Sequence, residues 1–527
     1  MQRRTFLASA ALGAASLSRP ALAQDSRART LRFVPQSDLT IIDPVFTTAY
    51  VTRHHALLIW DQLYGLDSQL RPQPQMVAGH LAEDDGKLWT FTLRPGLKFH
   101  DGEPVRGRDC VASIKRWAER NAEGATLMSR VAEISAPADN RFVIRLNKPY
   151  PGILSALARL GPPALMIMPE RIAQTPATEQ IKELVGSGPF RWKADERVVG
   201  ARVVYEKNRD YVPRDGGVAD WAAGPKVPHM DRVEWVVMPD PGTAASALQN
   251  GEVEWWENPP NDLLPILERS GRIKTRLSNP LGIVGTGIFN HLHAPFNNAE
   301  IRRIVLEAFS QEDCMAAAAG DPSLWRAGVG VFPPETPMAN DAGLDAITGK
   351  RDLEASRKAL VAAGYKGEQV VLMAASDNPV LAALGEVAND VLRRIGMNVD
   401  YVVSDWGTLV QRRSSKAAPE AGGWNMFHTT WYGLDLVNPG VSQMLRTSGT
   451  QTYFGWPSSA EMETLRNAWI EASASEDQKR LAREIQALAL KQAIYIPTGQ
   501  YFNKTAYLST LRDVPEGIQA FWGARFA

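Results

Sequence analysis

Alternating apolar and polar residues in the first part of the chain predict a small module of strands and one helix. Trp89, Phe91 and Leu93 alternate with polar residues, which is the period of a half-buried strand. After a Pro-Gly turn, residues 97–100 show the same alternation and predict a second strand. A helix is predicted from about Asp109, where apolar side chains recur at helical spacing. The module contains no catalytic pattern of its own.

Helical spacing returns in the second half of the chain. Residues 352–363 predict a helix that Asp352 caps and Gly364 ends. An apolar stripe before Gly396 predicts another helix. A strand over residues 399–403 then precedes Asp-Trp-Gly, which opens a further short helix.

Length, charge and cysteine content limit the possible classes of protein. A chain of 527 residues is expected to form more than one domain. Its 58 basic and 58 acidic side chains balance, so the net charge favours neither nucleic acid nor an anionic membrane as a partner. Two cysteines do not make a disulfide framework, and we predict that Cys110 and Cys314 are reduced packing residues.

The N-terminus has the features of an export signal. Arg3 and Arg4 form a twin-arginine pattern, and a weakly apolar run follows them. Ala21-Leu22-Ala23 fits a cleavage site before Gln24, so residues 1–23 are predicted to be a signal peptide. The alternative is an N-terminal membrane anchor, but the apolar run is too short to span a membrane. The sequence therefore predicts a periplasmic protein.

Residues 89–105 carry a recognisable motif. They follow the pattern W-x-F-x-L-R-x-G-x-K-F-x-D-G-x-P-V, which resembles the signature of the family 5 extracellular solute-binding proteins, the dipeptide, oligopeptide and nickel receptors of ABC importers. Shorter matches at residues 186–190, 205–211 and 289–296 extend the resemblance over essentially the whole mature chain. Residues 106–108 depart from the family pattern, which usually has a threonine cap there, so a looser helix start is expected.

The resemblance implies an α/β fold of two lobes joined by a double-crossover hinge, with an appended third domain. The first lobe is expected to comprise residues 24–60, 170–280 and 490–527. The appended domain is expected over residues 61–169, and the second lobe over residues 281–489. The implied function is capture of a peptide or similar small solute between the lobes, closure, and delivery to a membrane permease.

An aromatic, acidic loop near residue 430 is the main predicted binding element. Trp431 and Tyr432 precede Asp435, and such a loop suits a cationic ligand because rings exclude water and a carboxylate supplies the opposite charge. In the peptide-binding relatives an aspartate of this loop pairs with the ligand's ammonium group, and Asp435 is the nearest match, although the loop is one residue longer here. The alternative is that Asp435 caps a turn.

Two further residues are predicted at the ligand by resemblance. Trp406 lies in the Asp-Trp-Gly motif, which resembles the dipeptide receptors especially. Asp43 lies in an Asp-Pro element that tends to be near the cleft in the family. A plain turn before a helix explains Asp43 equally well.

The sequence leaves two other functions to consider. A metal-chelate receptor of the same fold would use His428 or the pair His291 and His293, which a strand would place on one face. No third ligand is evident, so no metal site is predicted. A periplasmic hydrolase is the other alternative, but G-x-S-x-G, H-E-x-x-H and a zinc cysteine pair are all absent from the sequence. We therefore predict a monomeric binding protein with no catalytic residues, no cofactor and no nucleic-acid partner.

Overall fold

The computed structural model describes residues 29–527. The predicted signal peptide, residues 1–23 with its twin-arginine pattern, lies outside the described residues. Three large sheets organise the rest of the chain, and two short two-stranded sheets accompany them, formed by Tyr64–Leu66 with Pro72–Pro74 and by Leu511–Arg512 with Arg525–Phe526.

The sheet of the first lobe has seven strands from three separated parts of the chain. Thr30–Val34 is its central strand and pairs in parallel with neighbours on both sides. Leu31 and Phe33 are fully buried against the helices and rings that cover the sheet. In spatial order the strands are Ile273–Leu277, Lys504–Leu508, Trp255–Trp256, Thr30–Val34, Arg232–Val236, Arg202–Lys207 and Phe190–Trp192.

The sheet of the second lobe has six strands. Its central strand, Ile283–Phe289, is buried along its whole length, which suits its apolar and glycine-rich sequence. Gly285 is needed there, because a Cβ atom would lie 2.3 Å from Thr498 Oγ1. The spatial order is Trp325–Arg326, Ile496–Tyr501, Ile283–Phe289, Met426–Tyr432, Gln369–Ala375 and Asn398–Ser404.

The third sheet is antiparallel and belongs to the appended domain, in the order Val77–Glu83, Leu88–Leu93, Arg141–Leu146 and Val131–Ala138. The strand predicted from Trp89, Phe91 and Leu93 is confirmed as Leu88–Leu93, and its Phe91 stacks on Phe142 with ring centroids 4.7 Å apart. The predicted strand over residues 97–100 is wrong. Those residues form only one isolated bridge, because the His100 amide donates instead to the Gly186 carbonyl at 2.7 Å.

The helix of this module begins at Gly107 and ends at Ala118. Its start is not loose, contrary to the expectation. The Asp109 carboxylate accepts from the Arg106 backbone amide at 2.7 Å, which is the half of a capping box that the third helical residue supplies. A Cβ atom on Gly107 would lie 2.3 Å from the Arg141 carbonyl oxygen, so the helix start packs directly against the sheet.

The chain passes twice between the sheet of the first lobe and the sheet of the second lobe. It leaves the first-lobe sheet after Leu277 and enters the second-lobe sheet at Ile283. It returns between Tyr501 and Lys504. The boundary expected at residue 490 is therefore too early, because Ile496–Tyr501 pairs with Ile283–Phe289 inside the second-lobe sheet. The other expected boundaries stay predictions.

The helices predicted in the second lobe are confirmed with their caps. Asp352 accepts from the Ala355 amide at 2.9 Å, and Asp405 accepts from the Thr408 amide at the same distance. Within residues 29–527 no helix is both long and apolar enough to cross a membrane. The α-helices are Tyr50–Ile59, Gly107–Ala118, Ala122–Met128, Ile153–Leu157, Glu170–Ala173, Pro241–Asn250, Leu264–Glu268, Ala299–Ala308, Gln311–Ala319, Asp345–Thr348, Leu353–Ala362, Pro379–Arg394, Trp406–Arg412, Ala460–Glu471 and Ser475–Lys491.

Candidate functional site

The loop after strand Met426–Tyr432 reaches from the second lobe to the first. The Tyr432 ring lies on the Tyr50 ring, with centroids 3.7 Å apart and planes 33° apart. The Tyr432 hydroxyl also lies 3.4 Å from Gln36 Oε1. Tyr50 and Gln36 both belong to the first lobe, so Tyr432 lies where the two lobes meet.

Asp435 lies at the same junction and is buried. Its Oδ1 accepts from Arg159 Nη2 at 2.5 Å, and its Oδ2 accepts from the Tyr50 hydroxyl. Burial and the neighbouring Asp435 charge raise the pKa of Tyr50 well above its ordinary value, so this phenol stays a donor. The carboxylate thus meets side chains from outside its own lobe.

Trp431 and Trp406 belong to one aromatic cluster in the second lobe. The Trp431 ring lies 5.2 Å from the Tyr453 ring. The Arg413 guanidinium joins Tyr453 to Trp406: its Nη1 donates to the Tyr453 hydroxyl at 3.0 Å, and its central carbon lies 5.5 Å from the Trp406 ring centroid. The structure therefore brings the two tryptophans together through Arg413, which is not one of the five predicted site residues.

A set of buried titratable groups lies beside Tyr50 in the first lobe. Arg53 lies 4.6 Å from the Tyr50 ring centroid and donates to His54 Nε2 at 2.7 Å. The Glu257 carboxylate accepts from the backbone amide of Gln36 at 2.7 Å. Burial raises the pKa of Glu257 to about 7 and lowers the pKa of His54 well below its ordinary value. Polar side chains therefore line the first-lobe side of the Tyr50–Tyr432 contact.

Asp43 is not brought to the other four predicted residues. It is fully buried, and its oxygens accept from Arg116 Nη1 at 3.0 Å and Nη2 at 2.6 Å. They also accept from the amides of Val45 at 2.9 Å and Ile181 at 3.0 Å. Asp43 therefore joins the first lobe to the helix Gly107–Ala118 of the appended domain.

The histidines considered for a metal do not form a site together. His291 and His293 follow their strand instead of lying in it, and their Nε2 atoms lie 3.0 Å from the carbonyl oxygens of Ile494 and Lys416 respectively. His428 is buried, and burial lowers its pKa to about 4. Within residues 29–527, no group of three histidine, cysteine, aspartate or glutamate side chains is placed to hold a metal ion.

A cavity of about 340 Å³ lies next to the Arg159–Asp435 pair, between the appended domain and the second lobe. Arg159 and Glu123 line its appended-domain side, and Asn438 and Trp469 line its second-lobe side. Burial raises the pKa of the Glu123 carboxyl. A small solute is the size of occupant that this cavity fits.

Comparison with known proteins identifies the family. Residues 71–453 match the model described as bacterial extracellular solute-binding proteins, family 5 Middle. The chain belongs to this family. A probable peptide ABC transporter periplasmic-binding protein of Sinorhizobium fredii is 38% identical over 100% of this chain and 99% of its own length. A glutathione-binding protein of Salmonella typhi is 22% identical, covering 93% of this chain and 92% of its own.

Solved structures confirm the bilobal α/β fold of this family 5 protein. The PBP AgaA from A. tumefaciens R10, in complex with agropinic acid, has a TM-score of 0.79 at 19% identity and covers 94% of this chain and 99% of its own. A dipeptide-binding protein from Pseudoalteromonas sp. SM9913, in complex with Met-Leu, has a TM-score of 0.77 at 19% identity, covering 94% and 100%.

Sequence reasoning found the aromatic loop of this family 5 protein but missed its partners. Arg159 and Tyr50 contact Asp435 from positions 276 and 385 residues away in the chain. Neither residue lies in a motif, and no local signal marks it. Arg413 directly follows the helix Trp406–Arg412, a position where an arginine is usually solvated, so its place in the aromatic cluster is decided only by the tertiary structure.

Proposed function

We propose that this family 5 protein is the periplasmic substrate-binding protein of an ABC importer. It captures a peptide or similar small solute between its lobes and delivers it to membrane permease subunits. The observation that carries the proposal is the loop from Trp431 to Asp435, which belongs to the second lobe and contacts the first lobe and the appended domain. The peptide names of the 38%-identical relative and of the dipeptide-binding neighbour support the ligand class.

The same contacts give a physical basis for closure. Tyr432 and Asp435 of the second lobe contact Tyr50 of the first lobe and Arg159 of the appended domain, so we assign these contacts to the closed form. A ligand that touches both sides adds to them and shifts the population further toward closure. A micromolar affinity corresponds to about 8 kcal/mol. The permease would then recognise the closed, loaded protein.

Native mass spectrometry of freshly purified periplasmic protein tests the proposal. We expect a monomer that carries a small solute, which is then identified and titrated back by calorimetry. Trp431→Ala should weaken its binding about tenfold or more, because a cleft ring is lost. Trp89→Ala is the matched control, since Trp89 packs on His80 and Phe91 in the appended domain. Equal losses in both variants would contradict a cleft role for Trp431.

Turnover separates a receptor from a hydrolase. When the protein is incubated with a peptide mixture, we expect the recovered ligand to be chemically unchanged. Release of new amino termini in proportion to protein concentration would overturn the receptor proposal.

A further inference from the structure

We propose that Arg159 neutralises Asp435 from within the protein, so that the cleft accepts a solute presenting an oxygen acceptor there instead of a free ammonium group. The inference rests on the proposed function and refines its ligand class. The favoured solutes are peptides whose amino terminus is acylated, with either a neutral acyl group or one that bears a carboxylate. Arg159 is then the residue that determines this specificity.

The first observation is that the Asp435 carboxylate is already fully engaged. Arg159 holds one oxygen at 2.5 Å and the Tyr50 hydroxyl holds the other. Each partner of the ion pair exposes only 8% of its side chain. A ligand ammonium group would have to displace a charged, buried donor before it could reach Asp435.

The second observation is that the backbone makes room for this pair. A Cβ atom on Gly161 would lie 2.2 Å from Asp435 Oδ1 and 2.6 Å from Arg159 Nη2. Any larger residue at position 161 would therefore separate the two charges. The contact depends on a residue without a side chain, which indicates a position shaped for the pair.

The third observation is the charge around the pair. Arg53 lies on the Tyr50 ring, so Tyr50 and Asp435 are flanked by two guanidinium groups. The nearby acids are weak counter-charges, because burial raises the pKa of both Glu257 and Glu123. A further cation would meet like charge at short range, whereas an oxygen acceptor would not.

The fourth observation shows where such an acceptor could bind. Arg159 Nε is buried and has no hydrogen-bond partner among residues 29–527. Arg159 also lines the cavity of about 340 Å³ beside the pair. A carbonyl or carboxylate oxygen of a solute would satisfy this donor, and buried donors are normally satisfied. An ammonium group, which has no acceptor, could not do so.

Competition between differently blocked peptides tests the inference. One dipeptide library is prepared with free, N-acetylated and N-succinylated amino termini, and the three forms are mixed equally with the full mature protein. Native mass spectrometry identifies what is retained. We expect the two blocked forms together to exceed the free form about tenfold, and an excess of succinyl over acetyl would show that the acceptor is a carboxylate.

Variants of Arg159 connect this preference to the residue. Arg159→Gln frees Asp435, so the ratio of blocked to free peptides should shift at least tenfold toward free amines. Arg159→Lys keeps the charge and should keep the preference for blocked forms. Arg108→Gln, at an exposed arginine of the appended domain, is the control and should leave the ratio unchanged.

Two results would overturn the inference in different ways. Equal retention of free and blocked forms by the unmodified protein, or an excess of the free form, would show that Asp435 accepts ammonium after all. Retention of none of the three forms would overturn the proposed peptide function, and the inference with it.

Discussion

Asp43 and Arg116 form a two-point ion pair that is closed to solvent, with side-chain exposures of 0% and 2%. Arg116 also donates to the carbonyl oxygens of Thr175 and Glu179, so the pair belongs to a satisfied buried network. The network joins the first lobe to the appended domain.

Removing one partner of this pair should be strongly destabilising. Asp43→Ala leaves the Arg116 charge buried and unpaired, at an expected cost of about 3–5 kcal/mol in the free energy of unfolding. Chemical denaturation measures this change in the free energy of unfolding. Asp477→Ala, which removes an exposed partner of Arg480, is the control and should cost less than about 1 kcal/mol. Similar costs for the two variants would contradict a structural role for Asp43.

The pH dependence of stability should change when His428 is removed. Burial lowers its pKa to about 4, whereas the unfolded chain has about 6.5, so below pH 6.5 the unfolded state binds more protons. The buried, neutral His428 ring therefore makes its full contribution to the free energy of unfolding above pH 6.5. That contribution is lost as the pH falls toward 4. When the pH is lowered from 7.5 to 5, the free energy of unfolding should therefore fall by about 2 kcal/mol less in His428→Leu than in the unmodified protein.

Denaturation curves at the two pH values measure this difference for His428→Leu. Phe427→Leu, the neighbouring position on the same strand, is the control and should keep the pH dependence of the unmodified protein. An unchanged pH dependence in His428→Leu would mean that the pKa of this ring is the same in the folded and the unfolded protein.

Both cysteines should be free thiols. Cys110 lies in the appended domain and Cys314 in the second lobe, and both are buried and unpaired. Burial raises the pKa of Cys314 to about 12 and also raises that of Cys110, so both react slowly while the protein is folded. Alkylation after denaturation, without reductant, should add two labels per chain by mass spectrometry. No label before reduction and two after it would instead show a disulfide.

Export should depend on the paired arginines at the start of the chain. Replacing both Arg3 and Arg4 by lysine should block the appearance of mature protein in the periplasm, because the twin-arginine pattern precedes a weakly apolar run. Cell fractionation and immunoblotting measure it. Lys87→Arg, a conservative change within the mature chain, is the control. Normal export of the double variant would show that the general secretory route carries the protein.

Much of the fold followed from local sequence. The strand around Phe91, the caps Asp352 and Asp405, and the aromatic loop at Trp431 are all marked by residues within a few positions of each other. Periodicity, capping and turn chemistry act over such short distances, so a single sequence reports them. The family motif over residues 89–105 depends on the same short range and led to the correct family.

Only the tertiary structure decided which charges meet. Asp43 pairs with Arg116, and Asp435 pairs with Arg159, across 73 and 276 residues of chain. The tertiary structure likewise assigned the strand Ile496–Tyr501 to the second lobe, because that strand pairs with Ile283–Phe289. The order of strands in the sheets and the packing between lobes bring such partners together. Because the partners are distant in the chain, no periodic pattern or local motif in the sequence identifies them.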